Sequence, residues 1–165
     1  AGNLRELAAI VSTARGLGFD HVSFLPLDAS SAAFGGHPER RAALVPSATA
    51  VAAFRRSVDA LEAEGALADG FVLESAAKLE LLADHLDASA GRGSFQRPAC
   101  DAPWWSSVVE ADGALRPCFF HEAVGDARLG VGAMRRSPAY REALSRIRRP
   151  NETCSRCVCP KRGAS

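Results

Sequence analysis

The sequence predicts a mixed fold in two parts, α/β units over residues 1–90 and a small α+β domain over residues 100–165, so that the chain is α+β overall. Two observations support this prediction. The first part alternates helical periodicities with short apolar runs, the pattern of α/β units. All five cysteines of the 165-residue chain follow residue 99, next to a hairpin signal. A stretch rich in Gly and Pro, residues 91–99, is the predicted linker.

The first part is predicted to begin with an amphipathic helix at 3–17, followed by an apolar run at 20–27. A nearly continuous apolar run of this length is typical of a strand buried on both faces of a parallel sheet. A second helix is predicted at 47–64 and a third after Ser75, which is a good N-cap residue. Between them, residues 71–73 form another short apolar run, either a strand or a packing point.

The second part is organised by its cysteines. Cys100 and Cys118 flank Asp112-Gly113, which lies between apolar runs and predicts a β-hairpin. Cys154 and Cys157 form a C-x-x-C motif, and a tight turn there would bring two sulfurs close enough to hold one metal centre. The hairpin would supply the other pair. Four thiolates of this kind suit tetrahedral zinc or an iron–sulfur cluster.

The cysteine-rich part has other possible interpretations. A set of disulfides fits less well, because a clustered C-x-x-C in a cytosolic chain more often binds metal and five cysteines leave one thiol over. His121 lies three residues after Cys118 and could replace a cysteine as ligand, but four cysteines are already available for that role. Ser137-Pro138 predicts the start of a helix that runs to about residue 147 and leads towards the C-x-x-C motif.

The cysteine spacing resembles that of a known family. Cys100, twelve residues, Gly113, four residues and Cys118 is similar to the opening Cys…Gly-x4-Cys of SPASM and twitch domains, the auxiliary-cluster domains of radical S-adenosylmethionine (SAM) enzymes. With only Cys154-x2-Cys157 and Cys159 after it, the chain is most similar to the single-cluster twitch type. The resemblance implies one [4Fe–4S] cluster for electron transfer or domain stabilisation. Its implied ligands are Cys100, Cys118, Cys154 and Cys157, with Cys159 outside the first shell.

The same resemblance implies that residues 1–90 are part of a larger enzyme. They would be the C-terminal piece of a partial (β/α) barrel, and the missing N-terminal radical SAM half would be the partner of this chain. The C-x3-C-x2-C motif of the SAM-cleaving cluster is absent from the sequence, so SAM is expected only in the intact parent enzyme. We expect no catalysis by this chain alone. The substrate would be a peptide or a small molecule.

Composition and charge limit the partners and the location expected for the chain. The net charge of +1 makes no general case for nucleic acid, and no apolar run approaches the length of a membrane span. Residues 135–165 hold nine Lys or Arg against Glu142 and Glu152, a local charge of +7, which suits a solvated helix face near an anionic thiolate–iron centre. Without a signal-peptide pattern, the expected location is the cytoplasm. A zinc-binding module without catalysis is the alternative function.

Overall fold

The computed structural model describes residues 2–26, 44–96 and 99–157. These residues form two compact units, the first made of 2–26 and 44–96 and the second of 99–157. The division between the units lies within the stretch predicted as a linker, and the last helix before it ends at Ser89. Helices combine with a small antiparallel sheet, so the predicted α+β class is confirmed. No helix in the described ranges has the length and apolar content needed to span a membrane.

The first unit is built from helices, and those predicted at 3–17, at 47–64 and after Ser75 are confirmed. Ser47 and Ser75 cap two of them, since each side chain accepts a hydrogen bond from the backbone N–H three residues later. The first helix starts later than predicted, because a separate 3-10 turn precedes it. The elements are a 3-10 helix at Gly2–Arg5, α1 at Leu7–Gly16, α2 at Ala48–Ala63 and α3 at Ala76–Ser89.

One hydrophobic core holds the first unit together, and it comes from the helical stripes that the periodicity predicted. Each helix presents apolar residues three or four positions apart to the others, as an amphipathic helix must. The buried members on α1, α2 and α3 are Leu7, Val11, Val51, Phe54, Val58, Leu61, Leu79, Leu82 and Ala83. Phe71 and Val72 complete this core from the loop before α3.

The apolar run at 20–27 was expected to be a strand buried on both faces, and within the described residues it is not. Only Val22 pairs, in a single parallel bridge with Val72. Leu25 is 66% exposed, and among the described residues no neighbouring strand covers it. Residue 27 lies outside the described residues. The run at 71–73 serves as the partner of this bridge, since the N–H of Leu73 donates to the carbonyl of Val22 over 3.0 Å.

A buried carboxylate ties these two segments together beyond the bridge. Glu74 is only 3% exposed, and it accepts hydrogen bonds from the Ser23 hydroxyl at 2.7 Å and from the Phe24 N–H at 2.9 Å. Lys78 lies 3.8 Å away, one helical turn further along. Because a buried carboxylate is costly without such partners, these bonds make the pairing of the segments specific.

The second unit contains the predicted hairpin and adds a third strand that the sequence did not reveal. β1 (Val108–Val109) pairs antiparallel with β2 (Ala114–Arg116), and β2 pairs with β3 (Gly125–Asp126). The hairpin turn runs from Glu110 to Gly113, whose φ of +90° requires glycine. The helices are α4 at Ala102–Trp105, a 3-10 turn at Ala127–Leu129, α5 at Val131–Arg135, α6 at Pro138–Arg148 and α7 at Glu152–Ser155.

The helix predicted from Ser137-Pro138 is confirmed as α6, with the Ser137 side chain accepting from the Tyr140 N–H. Its buried face carries Tyr140, Ala143 and Ile147. The sheet contributes Leu115, which is fully buried. This core contains far fewer buried apolar side chains than the core of the first unit.

Candidate metal centre

Four cysteines from three separate segments of the second unit line one cavity. Cys100, Cys118, Cys154 and Cys157 all lie on its wall, and its volume is about 550 Å³. A cavity of this size is typical of small-molecule and cofactor sites. Each of the four is a half-buried thiol. All four of the residues that the resemblance implied as ligands therefore lie on the wall of one cavity.

Cys100 enters the cavity just before α4. This short helix begins with Ala102 and Pro103, and Pro103 is buried. Proline suits the first turn of a helix because the N–H it lacks would have no intrahelical partner there. The helix also places Trp104 on the cavity wall, where the Arg148 guanidinium lies 5.5 Å from the centre of its ring.

Cys118 reaches the cavity from the end of the hairpin. β2 ends at Arg116, the buried Pro117 follows, and the chain then turns from Cys118 to His121. In this turn the His121 N–H donates to the Cys118 carbonyl over 3.0 Å. The hairpin thus returns the chain from the region of Cys100 to the same cavity, as its sequence predicted.

Cys154 lies on α7, and Cys157 follows two residues after this helix ends at Ser155. Asn151 caps this helix, because its Oδ1 accepts from the Cys154 N–H at 2.8 Å. The same side chain donates to the carbonyls of Ile147 and Arg149 at the end of α6. The N–H of Cys157 donates to the carbonyl of Cys154, closing the C-x-x-C turn. Asn151 therefore fixes this turn relative to α6.

His121 is a cavity residue whose partner the sequence did not predict. Its Nε2 lies 3.4 Å from the Cys154 sulfur, across 33 positions of sequence. The imidazole is half-buried, and this burial lowers the pKa of His121 below its ordinary value. Position 121 was predicted as a possible substitute ligand because it follows Cys118 closely, and no sequence signal pointed to its contact with Cys154.

The two tryptophans near Cys100 differ in burial. Trp104 is half-buried on the cavity wall, and Trp105 is 49% exposed with its indole N–H donating to Asp101. Only Pro103 of this short helix is buried, because a single helical turn can present just one face to the core.

The donor set fits a thiolate-bound metal group in its chemistry. The wall is mainly apolar, with Trp104, Phe119, Phe120 and Ile147 beside the thiols. Over residues 2–26, 44–96 and 99–157, however, no three His, Cys, Asp or Glu side chains are gathered closely enough to hold a single metal ion. Cys159, the fifth cysteine, lies outside the described residues.

The fold and this cavity define the chain as an α+β protein with a four-cysteine candidate centre. No family model matches it, and neither a curated protein nor a solved structure shows significant similarity. The resemblance to twitch domains therefore depends on the cysteine spacing alone.

Proposed function

We propose that residues 99–157 bind one [4Fe–4S] cluster through Cys100, Cys118, Cys154 and Cys157. The observation that carries the proposal is that these four side chains, from three separate segments, line a single cavity of about 550 Å³. Four cysteines are the usual ligand set of such a cluster. The mainly apolar wall is also suitable, because limited access of water helps to set the reduction potential of a cluster.

We favour a cluster over a single zinc ion as the bound group. Zinc binds each sulfur at about 2.3 Å, so its four ligands must converge to within about 4 Å of one another. No three potential ligands of the described residues are gathered in that way. A cluster binds each cysteine through a different iron and accepts a wider spacing. A cavity of about 550 Å³ with four cysteines on its wall has room for this larger group.

The proposed role of the cluster is electron transfer or stabilisation of the second unit. Four cysteine ligands would complete its coordination and leave no iron open for a substrate. The chain would be the C-terminal part of a radical SAM enzyme of the cytoplasm that modifies a peptide or a small molecule. Because the sequence has no C-x3-C-x2-C motif, the SAM-cleaving step would belong to the N-terminal half of that enzyme.

Anaerobic reconstitution of the chain with iron and sulfide tests this proposal. We expect a brown protein with about four irons and four sulfides per chain. Replacing Cys100, Cys118, Cys154 or Cys157 by serine, one at a time, should lower the iron content in each case. Cys159→Ser is the matched control, since it removes a thiol from the same region and should leave the iron-to-protein ratio unchanged.

Three results would contradict the proposal. A colourless chain that binds one zinc ion through the same cysteines would establish the zinc-binding alternative. Cysteines that resist alkylation until a reductant is added, in a chain without metal, would establish disulfides instead. If Cys159→Ser empties the site while Cys157→Ser does not, the ligand set is wrong at that position.

A further inference from the structure

His121 is fixed by its main chain at the mouth of the proposed cluster site. Its N–H donates to the Cys118 carbonyl at 3.0 Å, and its own carbonyl accepts from the Arg116 guanidinium at 2.7 Å. Both bonds join residues within the same short stretch of chain. The backbone that carries the imidazole is therefore held in place, so its side chain has few positions open to it.

The imidazole of His121 is directed at a proposed ligand on another element. Its Nε2 is 3.4 Å from the sulfur of Cys154, which lies on α7. This distance is within the range of a hydrogen bond to sulfur, and both side chains line the cavity. The two residues meet only because the hairpin turn and the cap at Asn151 bring their elements together.

The direction of this hydrogen bond follows from the chemistry of the two groups. A neutral imidazole has one N–H donor, and a cysteine that ligates a metal is a thiolate, which only accepts. With Cys154 acting as a ligand, the proton between the two atoms must therefore belong to His121 Nε2.

We propose that His121 donates a hydrogen bond from Nε2 to the ligating sulfur of Cys154, and so raises the reduction potential of the bound cluster. This inference rests on the proposed function. A donor on a ligating sulfur offsets part of its negative charge, which favours the reduced and more negative form of the cluster. His121 is thus a positioning and tuning residue and not a ligand.

The test compares three variants of the full chain after anaerobic reconstitution with iron and sulfide. His121→Phe removes the donor and keeps a ring in the cavity, whereas His121→Gln keeps an N–H donor of similar reach on a more flexible side chain. His21→Phe is the matched control, because His21 is an exposed histidine of the first unit. The readouts are iron and sulfide content and the midpoint potential from a spectroscopic redox titration.

We expect all three variants to keep the full iron content. The potential should shift to more negative values in His121→Phe, less so in His121→Gln, and not at all in His21→Phe. A potential that His121→Phe leaves unchanged in a fully loaded chain would overturn the inference while the proposed function stands. Loss of iron in both His121 variants would also overturn it, because His121 would then be a ligand. If the wild-type chain takes up no iron, the proposed function fails and the inference fails with it.

A second measurement uses the wild-type chain and does not depend on the folding of a variant. With ¹⁵N-histidine incorporated, pulsed electron paramagnetic resonance of the reduced cluster reports nitrogen near the irons. A weak coupling, together with an exchangeable proton, is the expected signature of a hydrogen bond. A strong nitrogen coupling would mean direct ligation, and no nitrogen coupling would mean that the contact is lost on loading. Either result would overturn the inference.

Discussion

At the scale of single residues, Asp126 and Arg128 form a small polar network under the hairpin turn. Asp126 Oδ1 accepts from both the N–H and the Nε of Arg128 at 2.9 Å. A Cβ atom at Gly113 would lie 3.0 Å from that Nε, so the turn approaches the pair closely. The Ala127 N–H donates to the Gly113 carbonyl and completes the link between the turn and β3.

The hydrogen bond from Arg128 lowers the pKa of Asp126 below its ordinary value of 3.8. A carboxyl whose pKa is lower in the folded state stabilises the fold at pH values above 3.8, and this contribution is lost as the pH falls through the folded value. We therefore expect Asp126→Asn to lower the free energy of unfolding at neutral pH. The difference from wild type should shrink as the pH falls below about 4. Urea unfolding at a series of pH values measures this.

The control for this prediction is Asp59→Asn, which removes an exposed carboxylate on α2. It separates the loss of one negative charge from the loss of the Arg128 contact. A difference between wild type and Asp126→Asn that persists unchanged to low pH would show that the contact does not depend on the carboxylate charge.

At the scale of elements, Asn151 positions the C-x-x-C turn relative to α6. It is an N-cap whose loss costs about 1 kcal/mol of stability, as for other caps. We expect Asn151→Ala to lower the free energy of unfolding by this amount and also to release iron faster from a reconstituted chain, because the turn that carries Cys154 loses its anchor. Urea unfolding and the rate of iron loss to a chelator measure the two effects.

Ser137→Ala is the matched control for Asn151→Ala. Ser137 caps the opposite end of α6 with a bond of the same type, and it is not among the residues that line the cavity. The control should show the same loss of stability without faster loss of iron. Equal rates of iron loss in the two variants would assign the effect to general destabilisation.

Glu74 holds the segment at Ser23 and Phe24 against the start of α3 through two hydrogen bonds. Glu74→Ala leaves the Ser23 hydroxyl and the Phe24 N–H without their acceptor, so it should lower the free energy of unfolding by about 1–3 kcal/mol. Glu6→Ala removes an exposed glutamate from the same unit and should change stability by less than about 0.5 kcal/mol. If urea unfolding gives the same loss of free energy of unfolding for both substitutions, the hydrogen bonds to Glu74 do not stabilise the pairing of the two segments.

Elements with local signals could be predicted from the sequence, and those that depend on distant partners could not. The helices α2, α3 and α6 each combine an apolar stripe with a serine cap, so their sequences determine both the type of element and where it begins. β3 has only two residues, Gly125 and Asp126, with no alternation of their own. It is a strand because it pairs with β2, which no local pattern shows.

The candidate site also has features with local sequence signals and features that depend on distant partners. The hairpin signal and the C-x-x-C motif are local, and they predicted a shared metal centre; the four cysteines line one cavity. The contact between His121 and Cys154 spans 33 residues and depends on how α7 packs. The position of Trp104 on the cavity wall also depends on packing, since its neighbour Trp105 has the same chemistry and is exposed.

At the scale of the whole molecule, the two units differ in how much core they have. The first unit buries apolar stripes from three helices together with Phe71 and Val72. In the second unit the buried apolar side chains are few: Pro103, Leu115, Pro117, Tyr140, Ala143 and Ile147. Domains of this size often require a metal or another cross-link, because their cores contribute little net stability. The proposed cluster would supply that contribution through its ligation free energy.

This difference predicts where loading of the cluster will stabilise the chain. A group that binds only the folded form stabilises it by about 2.7 kcal/mol when its concentration is 100 times its dissociation constant. Amides of residues 99–157 that exchange through opening of the second unit should then exchange roughly 100-fold more slowly. Amides of 2–26 and 44–96 should keep their rates, because these ranges form a separate compact unit with its own core.

Hydrogen exchange followed by mass spectrometry, on the full chain before and after anaerobic reconstitution, measures this effect unit by unit. A Cys154→Ser chain treated in the same way is the control, and its exchange should not change in either unit. Equal slowing in both units of the wild-type chain would mean that they open together, contrary to their separate cores. Slowing in neither unit, in a chain that has taken up iron, would leave electron transfer as the role of the cluster, because its binding would then contribute nothing to the stability of the small unit.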